Sequence, residues 1–203
     1  MKLLIKVLLI SGVLVASAFA FVYAGIYDVA ADAPHAAITN MLMETVRSRS
    51  IATRAKDIQP PPLDDAKMIA TGAEHYAAMC SGCHLAPDEK ESEIRTGLYP
   101  KPPDLTKHVH ASPAEAFWVI KHGIKMSGMP AWGKTHDDAS IWGLVAFLQK
   151  LPGLSPAQYL ALARSGAESP HRHTNDQRAH TDGGKKSRHP QDAPKGEHHH
   201  PEQ

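Results

Sequence analysis

Cys80-Ser81-Gly82-Cys83-His84 holds the only two cysteines of the 203-residue chain, three positions apart and followed directly by histidine. C-x-x-C-H is the attachment signature of a c-type haem, in which each thiol adds to a vinyl group and the histidine ligates iron. The spacing has a physical reason, because two thioether bonds along one porphyrin edge need cysteines about one helical turn apart. A redox dithiol would need a βαβ setting, and the sequence has no alternating β-pattern of useful length. Structural zinc would need a second ligand pair, and no further cysteine exists. The motif therefore predicts one covalent haem c on Cys80 and Cys83, with His84 as one axial ligand.

The residues around the motif suit a small helical domain. Helices are predicted at about 64–80, 112–122 and 137–150. Asp64-Asp65 and Asp137-Asp138 stand at the starts of the first and last, where carboxylates complement the helix dipole. Ser112-Pro113 with Glu115 opens the middle one, and Gly123 stops it. Residues 64–152, which hold all three tryptophans, are taken as the compact haem domain; a covalent apolar centrepiece helps so short a chain build a core.

Iron also needs a second axial ligand or an open position. Gly123 to Gly133 reads GIKMSGMPAWG, a loop punctuated by glycine and proline between two helices. Such a loop can bring a thioether to the far face of the ring, with Pro130 restricting the backbone beside it. Met129 is the expected ligand, and His/Met ligation raises the reduction potential. Met126 is a rival three residues away, and His108, His110, His122 and His136 are further candidates.

With these residues in place, the sequence resembles a class I monohaem cytochrome c over about residues 65–152. The resemblance rests on Gly72 and Tyr76, the attachment motif, Gly128-Met129-Pro130-Ala131-Trp132-Gly133, and Ile141-Trp142 through Phe147-Leu148. It implies an all-α fold in which the first and last helices cross. Gly72 would then permit close approach, with Trp142 or Phe147 packed at the contact. It also implies that the carbonyl of Pro87 orients the His84 ring. Gly97-Leu98-Tyr99-Pro100-Lys101-Pro102-Pro103-Asp104-Leu105 resembles the propionate-side loop of a membrane-anchored bacterial subgroup.

Upstream, Val7 to Tyr27 runs 21 residues without a charge, roughly 31 Å as a helix and enough to cross a bilayer core. Lys2 and Lys6 precede it and Asp28 and Asp32 follow, so residues 1–27 are expected to be a transmembrane anchor with a cytoplasmic N-terminus. A cleaved leader is the alternative, since Ala16-Ser17-Ala18 and Ala18-Phe19-Ala20 look like cleavage sites. Either way the rest is exported, which for a bacterial inner membrane makes the haem domain periplasmic. Residues 28–63 are expected to be a connector helix, capped by Asp32 with Pro34 in its first turn and acting as a solvated spacer. Arg47, Arg49, Arg54 and Lys56 make its second half basic, and Pro60-Pro61-Pro62 ends it.

Residues 153–203 are expected to be a short segment and a disordered tail. From residue 166 onward the only apolar side chains are three alanines, with six basic and six acidic residues. Seven of the 14 histidines lie there, including His198-His199-His200, a composition that suits zinc, copper or nickel. A net charge of +1 is too even for nucleic-acid binding by bulk charge. No hydrolytic or nucleophilic constellation is present. The function expected is single-electron transfer by a tethered carrier rather than catalysis, alone or as a subunit of an oxidoreductase complex. Its partners by analogy are quinol-oxidising complexes and terminal oxidases or reductases. The alternatives are an exported protein handling copper or zinc through its tail, and a haem-based sensor.

Overall fold

The computed structural model describes residues 1–109 and 111–168, and among these it is all helical, with no strand. Helix α1 spans Lys2–Tyr23, 22 residues with none buried and a mean hydropathy of 2.4 in its most apolar window. It begins five residues before the uncharged run and ends four before Tyr27. Lys2 and Lys6 are compatible with helix, whereas Gly25 at φ +62° is not. The expected tail over 169–203, including its histidines, lies outside the described residues.

Helix α2, Ala37–Ala55, starts at N-cap Ala36, which makes no side-chain cap bond. The expected cap at Asp32 is not used. That start would require Ala33 to be helical immediately before Pro34, a position the proline ring disfavours. Nor is α2 only a solvated spacer: its C-terminal end packs against the helix Pro113–His122, and Ala55 is 3% exposed.

The core centres on three helices, and a fourth adds to it. Helix α3 (Ala66–Met79) is capped by Asp65, whose carboxylate accepts from the Met68 amide at 2.7 Å. A single turn, α4 (Ser81–His84), follows it, then a short α5 (Glu93–Thr96). Helix α6 (Pro113–His122) carries a full capping box between Ser112 and Glu115. Helix α7 (Asp138–Leu148) is capped by Asp137 and buries seven of its eleven residues.

Helices α3 and α7 cross at two glycines. A Cβ on Gly72 would overlap the backbone carbonyl of Gly143, and one on Gly143 would press on the Met68 carbonyl at 3.2 Å. The expected role of Gly72 is met, with Gly143 as its partner. Beside the crossing, Phe147 packs on Tyr76 with ring centroids 5.3 Å apart. Trp142 points elsewhere, stacking on Phe117 of α6 at 4.1 Å.

The compact part does not end at Pro152. A further helix, α8 (Pro156–Glu168), lies along α3 and buries Tyr159. Gly166 sits so close to α3 that a Cβ there would overlap the Ala70 carbonyl. Ser155 and Gln158 cap it reciprocally, since Gln158 Oε1 accepts from the Ser155 amide at 2.9 Å and Ser155 Oγ from the Gln158 amide at 3.4 Å. Burial of Tyr159 between Tyr76 and Phe147 supplies the apolar contact that composition counted over the tail conceals.

Candidate haem site

Cys80 closes α3, its amide donating to the Tyr76 carbonyl at 2.9 Å. The Cys83 and His84 amides both donate to the Cys80 carbonyl, at 3.1 and 2.9 Å, so the motif forms one tight turn. Both cysteines are half-buried. Burial, reinforced by the neighbouring Cys83, pushes the Cys80 thiol up to about 12.

Past His84 the chain reverses sharply. Leu85 takes φ +70° and is 1% exposed, a conformation held by Tyr76, whose buried hydroxyl donates to the Leu85 carbonyl at 2.7 Å. Burial raises the pKa of that phenol, keeping it a donor. The Leu105 amide donates to the His84 carbonyl at 3.3 Å, joining the turn to the loop that follows α5.

That loop orients the ligand histidine. His84 Nδ1 lies 2.9 Å from the carbonyl of Pro103. A carbonyl only accepts, so Nδ1 carries the proton and Nε2 presents a lone pair. Burial lowers the His84 pKa, partly offset by this bond, which favours the neutral ring a metal needs. The carbonyl from Pro87 expected for this role is replaced by one from Pro103, 19 residues beyond His84 rather than three. No local motif announces it, because the loop arrives through the fold.

Arg95 braces the same loop. Its Nε donates to the Pro102 carbonyl at 3.1 Å while Nη1 pairs with Glu91 at 2.8 Å. Glu91 also pairs with Lys101, and those hydrogen bonds, Lys101 first, draw its carboxyl down to about 2. Ser92, the cap of α5, donates to the Gly82 carbonyl inside the motif.

The methionine loop is similarly braced. The Ile124 amide donates to the Met129 carbonyl at 3.2 Å, Ser127 Oγ to the Ile124 carbonyl at 2.8 Å, and the Met129 amide to Ser127 Oγ at 3.2 Å. Gly123, at φ +66°, faces the Met129 carbonyl so closely that a Cβ would lie 2.7 Å from it. Met129 is half-buried against the core, whereas Met126 is 85% exposed. Of the rival histidines, His108 and His122 are exposed, and His136 faces His75 and Trp132 with ring centroids 5.5 and 5.6 Å away. His110 lies outside the described residues. Among the described residues no cluster of three histidine, cysteine or acidic side chains could hold a metal ion.

The donor set fits haem c. Two cysteines share one helical turn, a neutral histidine is fixed by a backbone carbonyl, and Leu105, Val109, Met129 and Trp132 offer half-buried apolar surface at the core's edge.

Crossed helices closed by glycines, joined to a C-x-x-C-H turn, make a cytochrome c-type domain, which implies haem c as its cofactor. Residues 67–148 match the family of the cytochrome c oxidase, cbb3-type, subunit III. The match runs from the first turn of α3 to the end of α7 and covers less than half of the chain. It leaves α1, α2 and α8 unmatched. No curated protein matches the chain significantly.

Proposed function

We propose that the protein is a membrane-tethered carrier of single electrons, working through one haem c bound covalently at Cys80 and Cys83 and ligated by His84 and Met129. The observation that carries this reading is the fixed His84 ring: a neutral imidazole held at Nδ1 by the Pro103 carbonyl keeps one ligand orientation through repeated cycles. Haem c, when bound, supplies a one-electron couple between ferrous and ferric iron. The chain's part is to hold two ligands of constant identity, to exclude water with the apolar side chains around Met129, and to restrict movement on electron transfer.

The anchor reading rests on α1, whose length and hydropathy suit a bilayer crossing. A tethered domain meets its partners at a raised effective concentration. The match to a cytochrome c oxidase subunit favours an integral-membrane terminal oxidase as electron acceptor, with the domain on the periplasmic side of the inner membrane. Crosslinking and co-purification from native membranes test this. An oxidase or quinol-oxidising complex recovered with the full chain supports the proposal, and a chain recovered only in the soluble fraction contradicts it. Intact mass of the same material should equal the uncleaved chain plus one haem.

A further inference from the structure

Helix α2 has two unlike halves. Arg47, Ser50, Ile51 and Ala55 point toward the domain and are buried or half-buried, Ala55 at 3%. At helical spacing in the first half, Ile38, Met41, Leu42 and Val46 are exposed at 65, 59, 59 and 56%. Four large apolar side chains in one stripe are unusual on a water-facing helix, and Met43 beside them is exposed as well, at 41%.

The chain also fixes where this stripe begins. Tyr27 lies four residues beyond the end of α1, and its hydroxyl meets His35 Nδ1 at 2.9 Å. The His35 amide donates to the Tyr99 hydroxyl at 3.2 Å, and the two rings meet edge to face at 5.0 Å. The segment between α1 and α2 is therefore closed into a loop through Tyr27 and His35 and tied to Tyr99. Beyond the stripe, Arg49 continues it at helical spacing and is exposed, while Arg47 pairs with Glu44 and Lys56 with Asp57, each at 4.0 Å.

We propose that the first half of α2 lies in the headgroup region of the membrane that holds α1, with Ile38, Met41, Leu42 and Val46 entering the acyl boundary and Arg49, one turn beyond them on the same side, meeting anionic lipid. An amphipathic helix with an apolar stripe and cationic flank partitions in this way. Because Tyr99 belongs to the loop that also supplies the Pro103 carbonyl to His84, this contact holds the haem domain close to the bilayer instead of on a free tether. The inference rests on α1 being a retained anchor.

The test uses full-length holoprotein in vesicles containing phosphatidylglycerol, with an environment-sensitive fluorophore on a single introduced thiol and brominated lipid as quencher. Three sites are compared: Leu42→Cys on the stripe, Val22→Cys within α1, and Ala157→Cys at the exposed start of α8. Expected is loss of most emission at 42 and 22, and little change at 157. Emission at 42 as insensitive as at 157, with 22 quenched, overturns the proposal while leaving the anchor standing. Insensitivity at 22 overturns both. A photocrosslinker at 42 that captures protein instead of lipid in native membranes also overturns the proposal, assigning the stripe to a partner subunit.

Discussion

At the scale of single residues, the site depends on backbone carbonyls as much as on the motif. Met129→Leu should change the visible spectrum of a six-coordinate haem and lower the reduction potential, since thioether ligation raises it. Met126→Leu, at a side chain 85% exposed, should change neither. Tyr76→Phe removes the donor to the Leu85 carbonyl inside the core and should cost about 1–3 kcal/mol in chemical unfolding, the usual range for leaving a buried acceptor unpaired. Glu91 gives a pH prediction. Its folded carboxyl sits at about 2, against an ordinary 4.5, so its contribution is full above 4.5 and is lost as pH falls through 2. Between those values the wild type should lose stability relative to Glu91→Gln. Unfolding midpoints measured across that range check the sign; parallel curves would remove Glu91 from the account. Cys80, Cys83 and His84 were legible because covalent attachment demands a local spacing. Pro103 was not, because its carbonyl reaches His84 through a loop whose path depends on Arg95 and Tyr99.

At the scale of elements, glycines set how closely helices meet. Gly72→Ala drives a methyl group into the Gly143 carbonyl, backbone that has nowhere to rotate. The helices must part, at a cost of about 1–3 kcal/mol or more. Helices α3, α6 and α7 were readable from caps and periodicity, within one or two residues at each end. Helix α8 was missed although Ser155, Pro156 and Gln158 mark its start, because the polar composition after residue 166 outweighed one buried tyrosine. Truncation after Pro152 should therefore lower thermal stability by exposing Tyr76 and Phe147, whereas truncation after Pro170 should not. Equal melting temperatures for the two would show that α8 is dispensable.

At the scale of the whole molecule, the near-neutral charge is a cancellation between a basic start and an acidic domain, with 9 basic and 11 acidic residues over 64–152. The long apolar run and the motif told of an anchor and a haem domain; they said nothing of how the two are joined. That link became visible only where Tyr27, His35 and Tyr99 meet, three residues separated by up to 72 positions, whose pairing follows from the fold. The central claim is an electron carrier whose iron keeps His84 and Met129 in both oxidation states. Spectroelectrochemical titration of the full-length holoprotein tests it most directly. The account predicts one reversible one-electron transition, low-spin six-coordinate spectra at both ends, and no carbon monoxide binding to the reduced protein on the timescale of mixing. A high-spin reduced form that binds carbon monoxide at once would contradict it and assign the site to ligand sensing or catalysis.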